Sequence, residues 1–145
     1  MSRVSSPRLH RLVRPTTGRS FVVALDHGFF AVPADLPAIA DLPAVIDTIG
    51  TVAPDGVLMA AGQVRQLDRL DAAGIERPAL TVRGDVTNLY LHPTSAESRL
   101  APEIVERAVR LDAAAVLVNL LDADDNPAVK MECLAHLFAV KAAAE

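Results

Sequence analysis

Asp26 and His27 stand side by side in Leu25-Asp26-His27-Gly28, directly after the apolar run Phe21-Val22-Val23-Ala24-Leu25. A carboxylate at the exit of a buried strand can shuttle a proton, and a neighbouring imidazole can hydrogen-bond an oxygen of a bound ligand. Arg83 and Asp85 follow the apolar segment Ala79-Leu80-Thr81-Val82, and Asn119 follows Ala114-Ala115-Val116-Leu117-Val118. Asp26, His27, Arg83, Asp85 and Asn119 are therefore the candidate site residues, the last four as substrate-binding groups. The competing reading makes Asp26 a turn cap, His27 a ring bonded to backbone, and Asp85 and Asn88 ordinary turn residues. The polar stretch from Arg83 to His92 is longer than most βα loops, which suits a substrate loop and equally a surface excursion.

Other reactive types lack a usable pattern. His10, His27, His92 and His136 have no metal-ligand spacing, so neither a metal nor a cofactor is expected. Asp122, Asp124 and Asp125 read as a solvated loop leading into helix N-terminal charges. Cys133 lies among apolar helix positions without a neighbouring His or Lys and reads as core, not as a nucleophile.

The elements that must position these residues alternate between strand and helix. Phe21–Leu25 has no polar alternation and is predicted to be buried on both faces. Asp41 and Pro43 open a helix whose Leu42, Val45, Ile46, Ile49 and Val52 repeat at helical spacing up to Pro54. Gly56-Val57-Leu58-Met59-Ala60 precedes a helix from about Val64 to Ala73, stopped by Gly74 and Pro78. Ala79–Val82 precedes a helix opened by Pro102, with Ile104, Val105, Ala108 and Leu111 on its inner face. Ala114–Val118 precedes a last helix from about Pro127, with Met131, Leu134, Leu137 and Phe138 at core spacing.

A βαβαβαβα order predicts a parallel sheet with right-handed crossovers, either doubly wound or a (β/α)₈ TIM barrel. Asp-His-Gly-Phe-Phe stands after the first strand where a nucleotide-binding sheet carries G-x-G-x-x-G, and the polar residues fall at the C-terminal strand ends, both of which favour the barrel. A flavodoxin-like sheet would use the same rim. The expectation is an α/β chain forming the N-terminal half of a TIM barrel: residues 1–145 a single partial domain, 1–20 a helical lead-in, 21–145 four βα units. Four strands cannot close a barrel, and the last helix reaches Lys141-Ala-Ala-Ala-Glu without Gly or Pro, which reads as a fragment. Such a half exposes strand edges and an apolar inner face, so a second copy or a C-terminal half is the expected partner.

Composition narrows the function classes. Hydrophobic residues make up 51% of the chain, enough for a core, yet there is no Trp and one Tyr, which argues against a base-stacking surface. A net charge of −4 argues against a nucleic-acid backbone binder. Arg3, Arg8, Arg11, Arg14 and Arg19 crowd the start, but no apolar segment follows them as a targeting peptide requires. One Cys permits no internal disulfide, and no apolar stretch approaches the roughly 20 residues of a membrane span. A cytoplasmic protein acting on a small molecule is expected, with neither nucleic acid nor membrane as partner.

Leu9-His10-Arg11-Leu12-Val13-Arg14, leading through Thr17-Gly18-Arg19-Ser20 into Val22–Gly28, resembles the opening of the archaeal-type (DhnA-type) class I fructose-bisphosphate aldolases. Ala108–Val116 resembles that family's fourth βα junction, with Asp-Ala-Ala where Gly-Ala-Asp is usual. The resemblance implies a TIM-barrel lyase of carbohydrate metabolism. It cleaves a phosphorylated sugar or keto compound through a Schiff base on a strand-six lysine, with the aspartate matched by Asp26 handling protons. Lys130 and Lys141 are the two lysines of this sequence, and both fall in the last helix. Neither suits a strand-borne Schiff base, so the chain by itself is expected to be inactive. The alternative is a non-catalytic half-barrel module that binds or assembles by dimerising.

Overall fold

The computed structural model describes residues 7–27, 39–87, 97–121 and 126–145. In chain order the elements are α1 (Leu9–Leu12), β1 (Val22–Ala24), α2 (Leu42–Val52) and β2 (Gly56–Ala60). A 3-10 turn (Val64–Leu67) then runs into α3 (Asp68–Ala72). After these come β3 (Ala79–Arg83), β4 (Asp85–Thr87), β5 (Ser98–Leu100), α4 (Ile104–Arg110), β6 (Ala115–Leu117) and α5 (Pro127–Ala144). Gly28, Asn88, His92 and the acidic run Asp122, Asp124 and Asp125 lie outside the described residues.

Strands β1, β2, β3 and β6 form one parallel sheet in that order, each following strand joining the previous one through a helical crossover. The fold is α/β, and its strand order is that of four successive βα units of a (β/α)₈ barrel. Local chemistry sets the boundaries. The Asp41 carboxylate accepts from Ala44 N–H at 3.3 Å with Pro43 in the first turn of α2, and Ala53 ends that helix in the left-handed region at φ 49°. Gly74, at φ +70°, ends α3.

The two faces of the sheet differ. The side chains of Val57, Met59, Leu80 and Val82 point to the helices and are buried with Ile46, Ile49, Leu67, Leu70, Ile104 and Ala108. The alternate positions Val22, Leu58, Thr81, Arg83, Ala115 and Leu117 share the other face, as the register Leu58↔Thr81 and Thr81↔Ala115 requires. β1 is not buried on both faces as its apolar run predicted: Phe21 and Val22 are exposed. Among the described residues β1 pairs with β2 alone, so one edge and the inner face of β1 are uncovered.

The lead-in packs against the start of β2 and against β3. A Cβ on Gly56 would come within 2.7 Å of Leu12 Cδ2, so the missing side chain is what admits α1. Arg8 donates to Ala113 O at 2.8 Å, Arg11 to the Asp112 carboxylate at 2.7 Å, and Arg14 pairs with Asp55. Arg8, Arg11 and Arg14 thus fasten the lead-in to the N-terminal ends of the strands. A cavity of about 710 Å³ opens at this end between Arg11, Ile49, Ile75 and Leu80, away from the strand exits.

Three sequence expectations need correction. The segment after β3 is not simply a loop, because Asp85–Thr87 pairs antiparallel with Ser98–Leu100. Val52, read as an inward position of α2, is exposed at the last turn of that helix. In α5 the buried residues are Val129, Cys133 and Val140, while Met131, Leu137 and Phe138 are exposed. The helix docks through its other stripe: Ser98 N–H donates to the Glu132 carboxylate at 3.3 Å, and Ser98 Oγ lies 3.2 Å from His136 Nδ1. Helical spacing points to the Met131 stripe, and contacts with β5 and α4 bury the Val129, Cys133 and Val140 stripe instead. No helix of the described residues is long and apolar enough to cross a membrane.

Candidate active site

Asp26, two residues beyond β1, is buried to 2% exposure. Arg83, the last residue of β3, lies on the same face, and its Nε donates to Asp26 Oδ2 at 2.6 Å while its Nη2 stands 2.5 Å from the same oxygen. The residue between them is Ala60: it pairs with Arg83, and Ala24↔Leu58 carried on by two residues brings Asp26 opposite it. A methyl group there leaves room for the guanidinium to cross β2. Any longer side chain on that face would stand in its path.

The same guanidinium binds two further elements. Nη1 donates to Asn119 Oδ1 at 3.0 Å and lies 3.5 Å from Asp85 Oδ1, at the outer limit of a hydrogen bond. Asp85, at 1% exposure, uses its other oxygen to accept from Asn119 N–H at 3.0 Å. Burying two carboxylates and a guanidinium is costly unless they are paired and hydrogen-bonded, and here each is. The hairpin bearing Asp85 is locked to the sheet through Gly84, whose N–H donates to Leu117 O at 2.7 Å and whose carbonyl accepts from Ala101 N–H at 2.8 Å.

Four of the five residues singled out from the sequence, Asp26, Arg83, Asp85 and Asn119, meet in this one network. His27 adjoins it through the chain, and its Nδ1 is buried without a hydrogen-bond partner among the described residues. Asn119 Nδ2 is in the same condition. Lys130 and Lys141 are exposed on α5, so neither is a strand-end residue. Among the described residues no group of three or more His, Cys, Asp or Glu is arranged to hold a metal.

The profile described as DeoC/LacD family aldolase matches residues 20–145, nearly the whole chain. The chain belongs to that family. The match opens just before β1 and takes in every strand of this aldolase-family sheet, so the Asp26 network lies inside the matched region. A search of curated proteins returned no match.

Sequence reasoning missed three contributors to this aldolase-type rim. Ala60 looked like any small strand residue, and its role depends on a cross-strand register. Gly84 carried a signal, a glycine between two charged residues at a strand exit, that marks a close backbone approach. Ser98, with its Glu132 and His136 partners, gave no local sign, since the contacts span more than thirty residues of chain.

Proposed function

We propose that this chain supplies the carboxylate side of a class I, Schiff-base aldolase-type lyase site. Its ligand is a phosphorylated sugar or related keto compound such as fructose 1,6-bisphosphate. The observation carrying this reading is the buried Asp26 at a strand exit, held by Arg83 in a chain of the aldolase family. In the reaction an amine condenses with the substrate ketone and releases water, leaving an iminium. Asp26 then takes the proton of the β-hydroxyl as the adjacent carbon–carbon bond breaks, and the bonding electrons pass into the iminium to give an enamine. His27, Asp85 and Asn119 would orient the hydroxyl-bearing carbons.

The amine is the part this chain does not offer at a strand end, since Lys130 and Lys141 are exposed on α5. The reading therefore requires the lysine from another polypeptide segment and expects the chain alone to be inactive. Borohydride trapping with dihydroxyacetone phosphate tests it. The chain alone should give no covalent adduct, and a βα half-barrel of the same family bearing a strand lysine should trap substrate when mixed with it. An adduct on Lys130 or Lys141, or none in the mixture despite association, would sink the reading.

A second reading, a non-catalytic half-barrel that pairs with a copy of itself, is favoured by one observation. The exposed apolar residues Phe21 and Val22 lie at the β1 edge, Leu120 follows the β6 edge, and Met131 and Phe138 are exposed on α5. The β1 and β6 edges are the two seams at which further strands would join the sheet.

A further inference from the structure

Arg83 is the cation of the rim network, and a substrate with phosphate groups makes it the obvious anion binder. Its geometry argues otherwise. Nε and Nη2 are directed to Asp26 and Nη1 to Asn119 and Asp85, so the planar fork is already committed. The network sets two carboxylates against this one guanidinium, and a phosphate brought beside it would meet a surplus of negative charge in a poorly solvated place. The open capacity at the rim is of another kind. Asn119 spends its Oδ1 on Arg83 and its backbone N–H on Asp85, leaving Nδ2 buried with hydrogens to donate. His27 Nδ1 is buried and unmatched as well. A buried polar atom without a partner is costly and is relieved by a ligand atom of matching type.

Resting on the aldolase-type reading of the site, we infer that Arg83 is a positioning residue that fixes Asp26, and that Asn119 Nδ2 receives an uncharged hydroxyl or carbonyl oxygen. The phosphate of any substrate is then held away from this network. Arg83 acts through Asp26 and Asn119, and Asn119 is the residue that touches the ligand.

Side-chain NMR on the isotope-labelled chain tests this with dihydroxyacetone as the uncharged probe and inorganic phosphate as the anion. Dihydroxyacetone is expected to shift the Asn119 side-chain amide pair saturably while the Arg83 Nε–H signal stays in place. Phosphate is expected to move neither. Asn119→Asp keeps an acceptor for Arg83 and removes the donor, so it should weaken dihydroxyacetone about tenfold, the worth of one good hydrogen bond, with the Arg83 Nε–H still protected from exchange. Arg83→Lys, which cannot span Asp26 and Asn119 together, should weaken the same probe without gaining or losing phosphate binding. Saturable phosphate shifts at Arg83, an unmoved Asn119 amide with dihydroxyacetone, or full affinity in Asn119→Asp would each overturn the inference. If Arg83→Lys does not fold, the wild-type titrations and Asn119→Asp still decide. The experiment is independent of any lysine: dihydroxyacetone seated on Asn119 with no trapping in the mixed halves would uphold the inference and sink the aldolase reading.

Discussion

Arg83 on β3 reaches across β2 to Asp26 beyond β1, with Nε to Oδ2 at 2.6 Å, over a residue whose side chain is a single methyl. One ion pair thus joins β1 and β3 across the strand between them, at the rim where barrel enzymes keep their chemistry. Arg83→Met would leave the Asp26 carboxylate buried and unpaired, a change that costs about 3–5 kcal/mol in comparable sites. Urea denaturation should show that loss as a lower midpoint with the slope unchanged. Ala60→Leu should act in the same direction by blocking the crossing. Loss of the Arg83 Nε–H signal in an otherwise folded Ala60→Leu chain is the specific readout.

Gly84 is a position where space decides. A Cβ there would come within 2.7 Å of Val116 Cγ1 and 3.0 Å of Val118 Cγ1. Gly84→Ala is expected to destabilise by about 1–3 kcal/mol, as overpacking does. It should also loosen the β4–β5 hairpin that carries Asp85. Hydrogen exchange at the Ala101 amide, which donates to Gly84 O, measures the hairpin directly.

Acid should loosen the lead-in and the helix layer. The Arg11 guanidinium holds the Asp112 carboxyl below its ordinary value of 3.8, and Arg14, together with the Phe21 N–H, does the same for Asp55. Arg69 lowers Asp47, and Arg77 lowers Asp71. Because these folded values lie below the unfolded ones, their stabilisation is present well above pH 3.8 and is lost as the pH falls through the folded values. Denaturation midpoints should therefore fall between about pH 5 and pH 2, and the fall should shrink in Asp112→Asn. Asn suits the left-handed backbone at position 112, where φ is 54°, so that variant removes the charge without straining the chain. An unchanged pH profile in Asp112→Asn would remove Asp112 from the account.

Self-association should depend on the exposed stripe of α5. Phe138, at 66% exposure, and Met131 contribute little to the folded monomer, so Phe138→Glu should change its stability by no more than about 0.5 kcal/mol. If the chain pairs through this stripe, light scattering should find a dimer in the wild type and a monomer in Phe138→Glu. A dimer that survives the substitution would move the interface elsewhere.

The order of the four parallel strands and their helices, and the clustering of polar residues at strand exits, were legible in the sequence by itself, whereas the β4–β5 pair was not. Apolar runs, caps and helical spacing are local properties, and a βαβ alternation admits few topologies. Asp26, Arg83, Asp85 and Asn119 were legible one by one for the same reason. Their meeting was not, because Arg83 and Asp26 lie 57 residues apart and join through register and the smallness of Ala60. Cys133 was legible as a core residue, but tertiary structure decided the rest of the buried stripe of α5, where Val129 and Val140 compete with Met131, Leu137 and Phe138. It also decided that β1 stands exposed at an edge, because burial of an apolar strand depends on neighbours its own residues do not specify. The commitment of Arg83 to partners within the chain follows from the same fact: a side chain's free valences are counted only when everything it touches is in place.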